Sequence, residues 1–121
     1  MKILLAIGSN VRQTQNIAEA KRRLRRLLPS IVFGQEVWTD PVGLQSDRFL
    51  NLLAYADTTF SPAELQQRLK QIEREMGDSH ENHQGGRVLI DIDLAEYDGQ
   101  TIKEVVWLKH VQPAKRHKTT T

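Results

Sequence analysis

The chain contains no cysteine, which removes a disulfide framework and any thiolate metal site from consideration. It also lacks an apolar run long enough to span a bilayer. Its opening stretch, Met1-Lys2-Ile3-Leu4-Leu5-Ala6-Ile7, is too short and wrongly flanked for a signal peptide, so a cytoplasmic location is expected. No residue pattern marks a covalent nucleophile. What remains is a 121-residue chain, 39% apolar and 26% charged, which is enough for one core without covalent staples. Residues 1–111 are expected to form a single domain and 112–121 a flexible basic tail.

The net charge of +2 is unevenly spread. Lys21, Arg22, Arg23, Arg25 and Arg26 cluster on one segment, and Lys115, Arg116 and Lys118 make the end of the chain basic. Such clusters suit polyanions such as phosphates or nucleic acid, but a run on a helix is more often a solvated face.

Hydrophobic periodicity divides the chain into alternating elements. Lys2 to Ile7 is a short, nearly continuous apolar run, the pattern of a central strand, broken by the turn formers Gly8-Ser9-Asn10. From about Thr14 the period becomes helical, with Ile17, Ala20, Leu24, Leu27 and Leu28 on one face, and Pro29 ends the helix. Ile31-Val32-Phe33 and Glu36-Val37-Trp38 flank Gly34 in a second strand with an expected bulge. A Pro-, Gly- and Asp-rich loop, 39–47, leads to a third strand from about Phe49 to Thr58. In that strand Leu50, Leu52, Ala54 and Ala56 share one face, and Phe49, Asn51, Leu53 and Tyr55 share the other. Ser61-Pro62-Ala63-Glu64 is a capping box that opens a helix striped with Leu65, Leu69, Ile72 and Met76 and closed by Gly77. The polar segment from Asp78 to Gly86 is expected to be a mobile loop.

That loop delivers the chain to Gly85-Gly86-Arg87-Val88-Leu89-Ile90-Asp91-Ile92-Asp93-Leu94, a fourth strand by alternation. Val88, Ile90, Ile92 and Leu94 fall on one face, and Leu89, Asp91 and Asp93 on the other. Carboxylates about 7 Å apart on half-buried β structure repel each other and call for a cation. With only oxygen ligands on offer, a hard ion such as Mg²⁺, shared with substrate phosphates, is the natural guest. An exposed acidic pair at a strand end is the plainer alternative.

The order β-α-β-β-α-β is the ferredoxin-like α+β arrangement, an antiparallel sheet with two helices on one face, since each helix has a single apolar stripe. The other sheet face is expected to be open, with Phe49, Asn51, Tyr55, Asp91 and Asp93 looking out as a ligand platform.

Five pieces in order then resemble the 6-hydroxymethyl-7,8-dihydropterin pyrophosphokinases of folate biosynthesis. They are Gly8-Ser9-Asn10, Trp38-Thr39-Asp40-Pro41-Val42-Gly43, Phe49-Leu50-Asn51, Ile72-Glu73-Arg74-Glu75-Met76-Gly77 and Ile90-Asp91-Ile92-Asp93-Leu94 with Tyr97-Asp98-Gly99 behind it. The resemblance implies Mg²⁺-dependent transfer of pyrophosphate from ATP to the pterin, with Asp91 and Asp93 holding two Mg²⁺ ions and Arg87 assisting at the phosphates. It implies a pterin pocket of Thr39, Val42, Phe49 and Asn51, and nucleotide contacts from Glu73, Arg87, His110 and Arg116. The chain departs from the pattern in three ways. Its 78–84 loop has neither the arginines nor the Trp of the family's lid, and Arg87 stands one residue farther from Asp91 than usual. The family's C-terminal helix, further strand and pterin-capping aromatic have no counterpart, as in a shortened relative. A pterin- or nucleotide-binding protein without catalysis is therefore the second reading. An RNA-binding module is a third, weakened because the first strand has no aromatic residue. The expected partners are ATP and a reduced pterin rather than membrane or nucleic acid, with the chain a monomer or weak homodimer.

Overall fold

The computed structural model describes residues 1–40 and 47–110. Strand β1 (Lys2–Ser9) runs up the middle of the sheet, as its nearly continuous apolar run requires. It pairs antiparallel with β4 (Phe49–Asp57) on one side and β5 (Asp91–Tyr97) on the other. The short strands β2 (Val32–Phe33) and β3 (Val37–Thr39) both pair with β4, and β6 (Gln100–Thr101) pairs with the far end of β5. The strand order β2-β4-β1-β5-β6, with helices α1 (Gln13–Leu27) and α2 (Pro62–Glu75) as crossovers, is the expected ferredoxin-like α+β fold.

The register explains the core. Ile3, Leu5 and Ile7 face Ala56, Ala54 and Leu52 across one ladder, while Leu5 and Ile7 face Leu94 and Ile92 across the other. All of these are buried with Ile17, Ala20 and Leu24 of α1 and Leu65, Leu69 and Ile72 of α2. Each fully buried Leu or Ile among them contributes about 1.5–3 kcal/mol. The ends of α2 follow their sequence signals. Ser61 accepts a hydrogen bond from the Glu64 amide at 3.2 Å, and Gly77 at φ 89° closes a Schellman turn. In that turn the Gly77 and Asp78 amides donate to the Arg74 and Glu73 carbonyls, each at 3.0 Å.

Four expectations are corrected. β1 continues through Gly8 and Ser9, because the following Asn10 is buried and fully bonded rather than a free turn former. The Asn10 side chain donates to the Gly86 carbonyl at 2.7 Å and accepts from the Val88 amide at 2.6 Å. That clamp carries residues 86–88 into the fold without a ladder, so the Asp-bearing strand, β5, starts at Asp91 rather than near Gly85. Third, the loop after α2 contains a short helix, α3 (His80–Gln84), capped by the Ser79 hydroxyl. Fourth, the outer sheet face is not left open. The β5–β6 hairpin turns on Asp98 (φ 52°) and Gly99 (φ 84°), and the chain then returns so that Lys103 to Trp107 border that face. A 3₁₀ helix, Val106–His110, ends the described residues.

One irregularity positions this return. The register between β1 and β5 shifts between Leu4 and Leu5, leaving Ala95 as an extra residue in β5. The freed Ala95 carbonyl accepts from the Ile102 amide at 2.7 Å and the Lys103 amide at 3.1 Å.

Candidate active site

Asp91 and Asp93 lie at the start of β5 on the outer face, opposite Gly8 and Ala6 of β1. Both are half-buried. Burial raises the Asp91 carboxyl first, and the Asp93 charge, a hydrogen bond shared with Asp93 and the more distant Glu73 add to it. Lys103 only partly offsets them, and the result is a carboxyl pushed up to about 7. A carboxylate pair in which burial and the Asp93 charge hold Asp91 back from ionising forms a donor set that fits a hard divalent cation. Among the described residues no three His, Asp or Glu side chains converge as a complete metal cage, so such an ion would complete its shell with water or phosphate oxygens.

Glu73 is buried at the end of α2 rather than facing solvent. Because β6 covers β5 only at Glu96 and Tyr97, the Ile92 amide, between the two aspartates, is free of the ladder and donates to Glu73 Oε2 at 2.7 Å. Burial raises the Glu73 carboxyl, with the Ile92 amide and Lys70 opposing and Asp93 reinforcing. Lys70 Nζ lies 3.3 Å from Glu73 Oε1. Burial would lower the Lys70 ammonium, but Glu73, then Asp91 and Asp93, outweigh it and hold it above its usual value. Three acids and two lysines thus share one electrostatic neighbourhood.

On the other side of the pair is a cavity of about 280 Å³, near the lower end of small-molecule sites. Gly8, Phe49, Asn51, Asp91, Asp93 and Trp107 contribute to its walls. Thr39 closes one end, its hydroxyl accepting from Asn51 Nδ2 at 2.6 Å. Gly8 is required beneath it, since a Cβ there would stand 2.7 Å from Asn51 Oδ1. A second, wider trough runs beside α2 along β5, with Gln66, Lys70, Arg74 and Ile92 among its walls. Asp93 and Lys103 line both spaces. Lys103 Nζ sits 3.2 Å from Asp93 Oδ1.

The structure therefore brings together Thr39, Phe49, Asn51, Asp91 and Asp93, with Glu73 one hydrogen bond behind. It does not bring Arg87 to them: that side chain is exposed and is not among the residues lining the cavity. His110 ends the 3₁₀ helix. Val42, Arg116 and the expected basic tail lie outside the described residues. The basic face of α1 is largely committed to neighbours: Lys21 pairs with Glu36, Arg22 with Glu19, and Arg23 with Glu19 and Glu75.

Sequence reasoning missed Lys103, Trp107 and Asn10. For the first two no local signal existed, because their place depends on the Ala95 carbonyl and the hairpin. Asn10 next to a strand end was visible, and its pairing with residues 86–88 was not. Also unforeseen was Asp78, whose Oδ2 accepts from the Ile90 amide at 3.2 Å and meets His83 Nε2 at 2.7 Å, fastening α3 to the entry of β5.

Comparison with known proteins adds two findings. The family model for 7,8-dihydro-6-hydroxymethylpterin-pyrophosphokinase matches residues 4–119. "Folic acid synthesis protein FOL1" of Dictyostelium discoideum is 35% identical over 104 residues, covering 84% of this chain and 16% of that protein. The chain thus spans about a sixth of the length of that curated relative.

Proposed function

The chain belongs to the 7,8-dihydro-6-hydroxymethylpterin-pyrophosphokinase family, and from that premise we propose that it transfers pyrophosphate from ATP to 6-hydroxymethyl-7,8-dihydropterin. The observation that carries this reading is the pair of spaces that meet at Asp93, one small and partly aromatic, the other an open trough beside α2. Two substrates bound in them would face each other across the carboxylates.

In this assignment the pterin occupies the smaller cavity. Phe49 and Trp107 offer it flat apolar surfaces, and the Asn51 amide and Thr39 hydroxyl, already bonded to each other, offer a fixed polar edge. The nucleotide lies along the trough, near Lys70 and Arg74. Asp91 and Asp93 would hold Mg²⁺, with two ions expected, and the metal would supply charge neutralisation for the polyphosphate. Glu73, by accepting the Ile92 amide, fixes the backbone that separates the two carboxylates. The hydroxymethyl oxygen attacks the β-phosphorus in line and the bond from that phosphorus to the α,β-bridging oxygen breaks. AMP leaves with that oxygen, and the hydroxyl proton passes to solvent. Positioning and electrostatics carry such a reaction, and no covalent enzyme intermediate is needed.

The test is to mix the chain with ATP, Mg²⁺ and 6-hydroxymethyl-7,8-dihydropterin and follow AMP. AMP and the pyrophosphorylated pterin are expected only when all three are present. The exposed position of Arg87 favours one second reading, a protein that binds these ligands without converting them. Saturable binding of both with no AMP would establish that reading and overturn the first.

A further inference from the structure

Lys103 is exposed by 62% and so resembles an ordinary surface lysine, but its surroundings are particular. Its amide and that of Ile102 are both held by the Ala95 carbonyl, so the base of the side chain is fixed to the same strand that carries the aspartates. Its ammonium stands 3.2 Å from Asp93 Oδ1, and it is shared by the two spaces that meet there. Lys70, the neighbouring ammonium, is already spent on Glu73. Arg87 is exposed and lines neither space, and the 78–84 segment holds no arginine.

An ion pair made by so exposed a lysine is weak, so it yields readily to a divalent ion. A displaced ammonium on a tethered four-carbon stem then remains within a few ångströms of whatever anion the metal brings. We propose that Lys103 is a phosphate-binding residue held in reserve on Asp93: in the free chain it neutralises the carboxylate, and on loading it releases Asp93 to the metal and transfers its ammonium to the polyphosphate of the nucleotide. This rests on the functional reading above. It assigns to the C-terminal return a cationic role that the 78–84 segment has no residues to supply.

The variant Lys103→Met keeps the apolar stem and removes the charge, and Lys103→Arg keeps the charge. Calorimetric titration of metal-free protein with Mn²⁺, and of Mg²⁺-loaded protein with a non-hydrolysable ATP analogue, reads the two halves separately. Lys103→Met is expected to bind Mn²⁺ about threefold tighter or more, because its competitor is gone. The same variant is expected to bind the analogue about tenfold more weakly, with Lys103→Arg restoring most of the loss. Analogue affinity unchanged in Lys103→Met overturns the proposal, as does Mn²⁺ affinity that does not rise. If the unmodified chain binds no analogue at all, the functional reading itself has failed, an outcome distinct from a wild-type and variant that bind equally.

Discussion

On the helix-covered face of the sheet, Leu5, Leu52, Ile92 and Leu94 are buried at 3% exposure or less. One step along the same strands, Ala6, Asn51, Asp91 and Asp93 look the other way into the cavity. The two sets differ in what they do for the fold. The first lowers the free energy of the native state through burial. The second raises it at Asp91, whose carboxyl is costly to ionise under burial and beside the Asp93 charge. The alternation of a strand lets both be carried by one stretch of chain, and the inner face sustains what the outer face costs.

That contrast can be broken in order of effect. Asp91→Ala is expected to lower turnover in the AMP assay by about a thousandfold or more. Its melting midpoint in metal-free buffer should hold or rise, and turnover lost together with the fold would erase the distinction between faces. Leu52→Ala should do the reverse. It is expected to cost about 2–5 kcal/mol in denaturant unfolding while activity per folded molecule is retained at low temperature. The smallest effect is on pH. The Asp91 carboxyl titrates at 3.8 in its ordinary state and at about 7 in the fold, so the native state favours its protonated form. Metal-free protein should therefore be most stable, as far as this group is concerned, near pH 4 and lose stability as pH rises toward 7. Glu73 shifts in the same direction. Melts in a chelating buffer should show a lower Tm at pH 8 than at pH 5, Mg²⁺ should restore it at pH 8, and Asp91→Asn should flatten most of the slope. A wild-type Tm that does not move between those pH values would refute the account of the pair.

The same contrast governs what the sequence made legible. Inner-face residues declared themselves by period, and the faces of β4 and the stripes of both long helices are as expected. The carboxylates were legible through alternation as well, but the start of their strand was not. Val88 and Ile90 continue the alternating pattern and are buried, yet it is the Asn10 clamp and the Asp78 carboxylate that hold their backbone. Alternation reports burial and says nothing of ladder bonding. α3 carries no apolar stripe in five polar residues and depends on Ser79 and on the His83–Asp78 contact, so it gave no periodic signal. Lys103 and Trp107 reach the site through a hairpin turn and one bulge carbonyl, contacts that exist only after the sheet has formed.

The extra residue in β5 has a consequence for how this strand can change over time. Before it, odd-numbered positions carry the outward Asp91 and Asp93. Beyond it, Tyr97 pairs with Ile3, packs against the core and donates its hydroxyl to the Phe60 carbonyl at 2.6 Å. Ala95 acts as a change of phase between two messages written on one line. Loss of Ala95 would leave an unbroken ladder in which Leu94, Glu96 and Tyr97 still face Leu5, Leu4 and Ile3, so the carboxylates and the tyrosine would keep their faces while the carbonyl that holds Ile102 and Lys103 would be gone. A lineage that drops this one residue therefore keeps both faces of the strand and gives up the anchor of the returning segment.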